Sequence, residues 1–317
     1  MDGALLVSGQ VEDCHGAALA AAAPAVPRVV LRPAGCEGDP SRVEIAFFSG
    51  DFFPERVRDF ALALREAKQL RWLHTFSAGV DNPWFQSLRA RGVRLTTSSG
   101  ANAVPIAHTV LLYLLALSRD LARWQDAQRR RAWERHEVGD LQGLTLGVVG
   151  LGPIGLEVAR LGAALRMRTI GIRRAPRGDE PCETWPIARF DELLAQVDAL
   201  VLALPLSDDT AHLLDARRFA LLKRGAWLVN VGRGGLVDES ALVAALQSGH
   251  LGGAGLDVFE TEPLPAESPL WTMPNVIVTP HNSGDTPGNH DRAAAIFLDN
   301  LARYVRGEAL RNEVAST

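Results

Sequence analysis

The chain has 317 residues, which is too long for one ordinary domain and about right for two of ~150 residues each. Hydrophobic residues make up 47% and charged residues 22%, as in ordinary globular proteins. The net charge of −4 argues against nucleic-acid binding. The longest apolar stretch, Val110–Leu117, is far shorter than the ~20 residues of a membrane span.

The N-terminal segment and the cysteines favour a cytoplasmic protein. The Ala-rich run Ala17–Ala23 is preceded by acidic residues and by no Lys or Arg, so it lacks the charged start of a signal peptide and is predicted to be helical. Cys14, Cys36 and Cys182 are odd in number and far apart, which favours reduced thiols over disulfides or a metal site. We therefore expect no metal centre.

Short β-like runs alternate with amphipathic segments, a pattern typical of a parallel sheet with helices on both faces. The strands predicted in the first part are Ala4–Ser8, Arg28–Arg32, Glu44–Ser49, Arg71–Phe76 and Val93–Thr97. The helices predicted between them are Glu55–Ala67 and Trp84–Arg91. A long amphipathic segment, Ile106–Trp133, follows and is predicted to bridge two domains.

A second alternating series begins after that segment. Its predicted strands are Thr145–Val149, Arg168–Ile172, Ala199–Leu204, Ala226–Val231, Ala254–Val258 and Val276–Thr279. A last helix is predicted over Asn289–Val305. The predicted fold class is α/β, with two doubly wound parallel-sheet, Rossmann-like domains and a cleft between them. The predicted substrate-binding domain is 1–98 plus 287–317, and the predicted dinucleotide-binding domain is 99–286.

The strongest local signal is an apolar strand that runs into Gly150-x-Gly152-x-x-Gly155 and then into a helical pattern. Gly150 permits the tight turn, Gly152 lets a pyrophosphate approach the backbone, and Gly155 lets the helix pack close to the strand. The N–H groups at the start of the helix, around Pro153 and Ile154, would hold the phosphates. The alternative is a purely structural glycine turn.

An acid is expected about 20 residues further on, where it would bind the ribose hydroxyls, but it is missing. The second strand ends instead at Arg173 and Arg174, and no carboxylate follows until Asp179. Guanidinium groups suit the 2′-phosphate of NADPH, so NADPH is predicted to be preferred, with NADH as the second choice. The alternative is that these arginines are solvated or pair with Asp179 and Glu180.

Three further stretches each follow or close a predicted strand, where open α/β sheets bind ligands. They are Asn230–Asp238, Gly255–Pro263 and Val278–Gly284. With Phe76–Asp81 and Leu204–Thr210, these stretches make nearly the whole chain resemble the D-isomer-specific 2-hydroxyacid dehydrogenases, and the glyoxylate/hydroxypyruvate reductases among them.

The resemblance implies a catalytic arginine at Arg233, a catalytic glutamate at Glu262 and an acid/base histidine at His281. It also implies that Arg233 and His281 contact the substrate, and that the backbone around Ala78, Gly79 and Val80 holds its carboxylate. The residues that it assigns to the cofactor site, besides the glycine loop, are Pro205, Thr210, Val231, Asp257 and Gly284. Each of these residues, taken alone, also has an ordinary structural interpretation.

The chemistry of a 2-keto acid requires those residue types. A planar guanidinium such as that of Arg233 can bond both oxygens of a carboxylate, which a lysine cannot. Reduction of the ketone leaves negative charge on its oxygen, and a protonated His281 can donate to that oxygen. Glu262 beside the imidazole would favour the charged form and fix its orientation. The predicted reaction is NAD(P)H-dependent reduction of a small 2-keto acid; the alternative is a non-catalytic, nucleotide-sensing co-repressor-like protein.

Several residues are left with two interpretations. His108 and Thr97 stand where many family members have an acid and an asparagine, and His108 is expected to pack or hydrogen-bond on its helix. Trp124 and Trp133 are candidates for a homodimer interface, which the family forms through this region, for a neighbouring active site, or for core packing. The crowded aromatic residues Phe47, Phe48, Phe52 and Phe53 could form a wall against the substrate or could pack in the core.

Overall fold

The computed structural model describes residues 3–80 and 82–314, so Asp81, the last residue of one family motif, lies outside the described residues. The chain divides into two compact units, Met1–Asn102 with Thr286–Thr317, and Ala103–Asp285. The boundaries expected from sequence were 98/99 and 286/287. The α/β class with two mainly parallel sheets is confirmed.

The first unit is built on a six-stranded sheet of order β3-β2-β1-β4-β5-β6. All neighbouring pairs are parallel except β2 with β3, which are antiparallel. Its strands are β1 Ala4–Ser8, β2 Arg28–Arg32, β3 Gly35–Glu37, β4 Val43–Phe48, β5 Trp72–Thr75 and β6 Arg94–Thr97. Its helices are α1 Gly9–Ala22, α2 Val57–Glu66, α3 Pro83–Ala90 and, at the C-terminal end, α10 Asn289–Val305.

The second unit is built on a seven-stranded parallel sheet of order β13-β12-β11-β10-β7-β8-β9. Its strands are β7 Thr145–Val149, β8 Arg168–Arg173, β9 Glu183–Pro186, β10 Ala199–Leu202, β11 Trp227–Asn230, β12 Gly253–Leu256 and β13 Val276–Val278. Its helices are α4 Ala103–Ser118, α5 Leu121–Arg129, α6 Pro153–Ala164, α7 Phe190–Leu194, α8 Ala216–Phe219 and α9 Glu239–Gln247.

Burial on both faces of each sheet explains why its strands are continuous apolar runs. In the second unit one core cluster includes Ile170, Leu200 and Leu228, and a second includes Leu146 and Val201. Alternate residues of one strand therefore enter different cores, as the two-residue period of a strand requires. Because all the strands of this sheet are parallel, their carboxyl ends lie on the same edge.

The prediction of one continuous segment over Ile106–Trp133 was wrong. The chain forms two helices, α4 and α5, bent by 67° relative to each other. Asp120, between them, has a φ of 50°, a left-handed conformation that an α-helix of L-residues does not accommodate. Within the described residues no single helix is long and apolar enough to cross a membrane, and α4 and α5 meet that criterion only when they are joined across this bend.

Candidate active site

The glycine loop connects β7 to α6 as predicted. Gly150 has a φ of 97°, and a Cβ atom there would lie 2.7 Å from the carbonyl oxygen of Ala203. A Cβ on Gly155 would lie 2.0 Å from the carbonyl oxygen of Gly150, so only glycine allows this approach of helix to strand. A Cβ on Gly152 would meet nothing within 4 Å. The glycine loop is therefore closed on its protein side and open at Gly152.

The start of α6 fits a dinucleotide pyrophosphate. Gly152 is the N-cap and provides no side-chain hydrogen bond, and Pro153 is the first helical residue. The first N–H groups of a helix, here those of Ile154 and Gly155, lack intrahelical acceptors, and the helix dipole adds positive potential. An anion at the open side of Gly152 would therefore be stabilised by this helix start.

Arg173 is the last residue of β8, and Arg174 beside it is exposed. The Arg173 guanidinium does not point free into solvent: its Nη1 donates to Oε1 of Glu180 at 2.8 Å. Pairing with Glu180 was the alternative left open by the sequence. The end of β8 therefore carries two arginines, and Glu180 neutralises the charge of Arg173.

The three catalytic candidates follow neighbouring strands of the same sheet. Asn230, Leu256 and Val278 are paired in register on β11, β12 and β13. The chain leaves these strands at one level, and Arg233, Glu262 and His281 lie a few residues beyond. Parallel pairing therefore places the loops that carry these three residues at one edge of the sheet.

Glu262 and His281 form a direct hydrogen-bonded pair. The Nδ1 atom of His281 lies 2.7 Å from Oε2 of Glu262, and Oε1 of Glu262 accepts the backbone N–H of Phe259 at 3.1 Å. Because a carboxylate can only accept, Nδ1 carries the proton and donates it, which leaves Nε2 available for a substrate. Both side chains are accessible, with exposed fractions of 47% for His281 and 36% for Glu262.

Arg233 lies in the loop after β11. Its Nη1 donates to the carbonyl oxygen of Gly232 at 2.8 Å, and the amide of Asn230 donates to the carbonyl oxygen of Arg233 at 2.9 Å. Gly234 follows immediately, and a Cβ there would overlap the backbone of Phe259. This close approach ties the arginine loop to the chain segment that precedes Glu262.

The loop that carries His281 is held by a buried carboxylate, that of Asp257, which is 1% exposed. Its Oδ1 accepts from the hydroxyl of Thr279 at 2.5 Å and from the N–H of Asn282 at 3.0 Å, and Ser283 donates through both its N–H and its hydroxyl. The N–H of His281 donates to the carbonyl oxygen of Asp257 at 2.8 Å. These bonds maintain His281 at a φ of 51°.

Tyr113 of α4 completes this network and was missed by the sequence analysis. It is fully buried, and its hydroxyl lies 2.5 Å from that of Thr279. Burial raises the pKa of Tyr113 to about 12. No local pattern marks a tyrosine on an apolar helix as a neighbour of a strand end 166 residues away. The role of Asp257 as a nicotinamide contact remains a prediction beside this observed role as a loop anchor.

The remaining cofactor candidates border the same edge of the sheet. Thr210 donates to the carbonyl oxygen of Pro205 at 3.0 Å and accepts the N–H of Ser207 at 2.7 Å, so it shapes the loop after β10. Val231 directly follows β11 and is buried. Gly284 follows the His281 loop. Within the described part of the chain, no group of three or more His, Cys, Asp or Glu side chains is placed to hold a metal ion.

In the first unit, Ala78, Gly79 and Val80 follow β5. Ser77 donates from Oγ to the carbonyl oxygen of Gly79 at 2.7 Å, and its own backbone oxygen accepts the N–H of Ser98 at 3.1 Å. Within the described residues, the N–H groups of positions 78–80 donate to no protein acceptor. Successive backbone N–H groups of this kind suit a carboxylate.

The two neighbouring aromatic residues Phe52 and Phe53 differ in burial. Phe52 is 0% exposed and packs against Phe48 and Phe60, so its proposed place in a substrate wall was wrong: it fills the core. Phe53 is 60% exposed, and its ring lies 6.2 Å from that of Phe76, just before the Ala78–Val80 loop.

Of the other residues left with two interpretations, three are exposed and one pairs with the C-terminal segment. Trp124 and Trp133 are exposed, by 42% and 96%, which excludes core packing for both. His108 is exposed on α4 and, in the part of the chain described, has no hydrogen-bond or ion-pair partner, so the expectation that it packs on its helix was wrong. Thr97 ends β6 and pairs through its backbone with Asn312.

The fold and these residues define a dinucleotide-dependent oxidoreductase, and comparison with known proteins identifies its family. Residues 111–283 match the family model for the D-isomer specific 2-hydroxyacid dehydrogenase NAD binding domain. Glyoxylate/hydroxypyruvate reductase B of Escherichia fergusonii is 36% identical over 270 residues, which cover 81% of each chain.

Two solved structures are similar along almost the whole chain. The D-isomer specific 2-hydroxyacid dehydrogenase of Xanthobacter autotrophicus Py2, in complex with NADPH and MES, has 34% identity and a TM-score of 0.81, with 99% of this chain and 98% of that chain covered. The NADPH-dependent glyoxylate/hydroxypyruvate reductase of Sinorhizobium meliloti, in complex with NADP and sulfate, has 30% identity and a TM-score of 0.79, with the same coverage.

The chain belongs to the D-isomer specific 2-hydroxyacid dehydrogenase family. It is an NAD(P)-dependent 2-hydroxyacid dehydrogenase that resembles the glyoxylate/hydroxypyruvate reductases.

Proposed function

We propose that this enzyme reduces a small 2-keto acid, glyoxylate or hydroxypyruvate in the first place, and prefers NADPH to NADH. The observation that carries the proposal is the hydrogen bond between Glu262 and His281. The pair lies at the edge of the sheet from which the Arg233 loop and the glycine loop also extend. The names of the similar proteins support the same substrates and coenzyme. We also propose that the enzyme is a homodimer and that it is located in the cytoplasm.

Each protein group has a defined task in this reaction. The guanidinium of Arg233 binds the substrate carboxylate. The bound nicotinamide supplies the hydride. His281 donates a proton from Nε2 to the oxygen of the ketone as negative charge develops there. Glu262 holds the imidazole by its Nδ1–H in the orientation that this transfer requires.

Coenzyme preference is assigned to the basic end of β8, where dinucleotide-binding folds discriminate the ribose. Arg174 is exposed there, whereas Arg173 is already bonded to Glu180. One charge-assisted hydrogen bond to a 2′-phosphate is worth about 1.5–3 kcal/mol, or roughly 10- to 150-fold in affinity. Solvent and salt screen such an exposed contact, so we expect the lower end of that range.

The exposed ring of Phe53 is proposed to limit the side chain of the substrate. We expect Phe53→Ala to raise kcat/KM for phenylpyruvate relative to glyoxylate, because it removes a ring beside Phe76. Phe60→Leu, in the core, is the control. Identical substrate ratios in wild type and Phe53→Ala would show that this ring does not contact the substrate.

The decisive experiment is a turnover assay of the purified enzyme with about a dozen 2-keto acids and both reduced coenzymes. Glyoxylate or hydroxypyruvate should give the highest kcat/KM, with NADPH above NADH. Absence of turnover with every 2-keto acid would reject the proposed reaction, and a higher kcat/KM with NADH would reject the coenzyme preference.

A further inference from the structure

The carboxylate of Glu180 occupies a small anion-binding site formed by its own chain. Three donors converge on it: Nη1 of Arg173 and the N–H of Arg177 both lie 2.8 Å from Oε1, and the N–H of Gly178 lies 2.8 Å from Oε2. The Glu180 side chain is 2% exposed and that of Arg173 is 17% exposed. We call these three donors the Arg173 nest.

The donor set of the Arg173 nest is the kind that binds phosphate. A guanidinium combined with nearby backbone N–H groups makes a concave site for an anion. The N–H groups of Arg177 and Gly178, together with the Arg173 guanidinium, hold the pKa of Glu180 down at about 2. The nest is therefore filled by a charged carboxylate at any pH near neutrality.

The position of the nest gives it a function. Arg173 is the last residue of β8, which directly follows the glycine loop and α6 in the chain and pairs with β7 in the sheet. In dinucleotide-binding folds the end of this strand meets the ribose, where an acid selects NADH or an arginine selects NADPH. Both residue types are present here, and they are bonded to each other.

We propose that Glu180 is an internal competitor for the 2′-phosphate of NADPH and sets the coenzyme ratio of the enzyme. With Glu180 in the nest, Arg173 is neutralised, and recognition of a 2′-phosphate falls on the exposed Arg174. When the carboxylate is removed, the guanidinium and the two N–H groups become available to the phosphate. This inference rests on the proposed nucleotide-dependent function and names the residue that limits its NADPH preference.

The sign of the effect of Glu180→Gln tests the proposal. The substitution keeps the size of the side chain and removes its charge, so it should raise the NADPH:NADH ratio of affinities by about 10-fold, the value of one hydrogen bond to a charged group. If Glu180 instead orients Arg173 toward the phosphate, the same variant would lower that ratio. Asp179→Asn, which neutralises the exposed neighbouring carboxylate, is the matched control and should leave the ratio unchanged.

A second substitution isolates the contact with Arg173. Arg173→Ala should change NADPH affinity only about two-fold in the wild-type background, where Glu180 already engages the guanidinium, and by about 10-fold in the Glu180→Gln background. Equal effects of Arg173→Ala in the two backgrounds would overturn the proposal, as would an unchanged or lowered ratio in Glu180→Gln. Glu180→Ala is measured in parallel and must shift the ratio in the same direction.

The readout is direct binding, so that it does not depend on the keto acid. Dissociation constants are measured by fluorescence titration of the full-length enzyme with NADPH and NADH, and with adenosine 2′,5′-bisphosphate and AMP as shorter probes. A wild type that binds these nucleotides but reduces no 2-keto acid would reject the proposed reaction and leave the Glu180 test valid. A wild type that binds none of them would reject both.

Discussion

The bond between Glu262 and His281 is the residue-scale feature on which catalysis depends most directly. His281→Ala removes the proton donor and is expected to lower kcat by roughly 10²–10⁴-fold, the usual contribution of a positioned acid. The dissociation constant for NADPH should stay close to that of wild type, because the glycine loop is separate from the His281 loop. Steady-state kinetics and coenzyme titration check both statements.

Glu262→Gln is the companion variant. Its amide can still accept the Nδ1–H of His281 through an oxygen but brings no charge, so turnover should fall by less than in His281→Ala. Tyr113→Phe is a more distant comparison, since it removes the hydroxyl that hydrogen-bonds to Thr279 but none of the donors to Asp257. If His281→Ala turned over its best keto acid at the wild-type rate, the assignment of the proton donor would be wrong.

A second residue-scale feature is the fully buried imidazole of His74 on β5. Trp72 donates from Nε1 to the hydroxyl of Thr96 at 2.8 Å, and that hydroxyl lies 2.7 Å from Nδ1 of His74. Ser98 gives its single hydroxyl proton to the carbonyl oxygen of Thr75 at 3.0 Å, so it can only accept from His74. The imidazole proton must then be on Nε2, which donates to Ser98 at 3.0 Å. Burial lowers the pKa of His74 to about 3.

This buried histidine makes stability depend on pH. In the unfolded chain a histidine takes up a proton near pH 6.5, whereas folded His74 stays neutral down to about 3. Stability therefore falls as the pH drops through 6.5 toward 3, with a slope of at most about 1.4 kcal/mol per pH unit from this residue. His74→Gln should be less stable than wild type at neutral pH, but should lose less further stability between pH 6.5 and 4.5, measured by urea unfolding.

Trp72→Phe is the control for His74→Gln. It removes the N–H donor of the same network and keeps the imidazole, so its pH dependence should match that of wild type even if its stability at neutral pH is lower. A wild-type slope in His74→Gln would mean that His74 is not the group responsible.

At the scale of elements, the turn from β7 to α6 contains one glycine that folding requires, Gly155, and one that coenzyme binding requires, Gly152. Gly155→Ala should lower the free energy of unfolding by about 1–3 kcal/mol, because its Cβ has no room beside Gly150. Gly152→Asp has open space and places a favoured N-cap residue at the start of α6, so the free enzyme should remain as stable as wild type.

The stabilisation of the folded enzyme by NADPH tests the role of Gly152 in binding. At about 100 times its dissociation constant, a ligand stabilises the folded protein by about 2.7 kcal/mol, which raises the melting temperature. Wild type should show this rise, and Gly152→Asp should not, because its carboxylate repels the pyrophosphate. A full NADPH-induced shift in Gly152→Asp, recorded by differential scanning fluorimetry, would place the pyrophosphate elsewhere.

For the whole molecule the expected assembly is a two-fold dimer, which the family forms through the region of α4 and α5. Leu112 is 55% exposed and Leu115 is 39% exposed on α4, and Trp124 is 42% exposed on α5. Large apolar side chains exposed together on one region are typical of interaction surfaces. Light scattering at micromolar concentration should therefore give the mass of two chains.

Leu112→Glu should shift this assembly toward single chains, since it would bury a charge in the interface. Leu62→Glu is the control, because Leu62 is exposed to a similar extent, 47%, on α2. A wild type that has the mass of one chain would contradict the expected dimer.

The sequence by itself determined most of the strands and the loop chemistry. β1, β2, β7 and α10 begin and end at the predicted residues, because an apolar run bounded by turn residues specifies a buried strand locally. The short edge strands β3 and β9 were missed, since three or four residues without an apolar run carry no such pattern. The bend at Asp120 was also missed, because the apolar pattern continues on both sides of it.

The tertiary structure decided which residues meet. Arg233, Glu262 and His281 were identified by motif, but only the parallel register of β11, β12 and β13 brings their loops to one level. The sequence allowed Phe52 at a substrate wall and left Arg173 either free or paired; packing placed Phe52 in the core and bonded Arg173 to Glu180. Local sequence encodes backbone geometry over a few residues, whereas burial and ion pairing depend on partners that only the folded chain supplies.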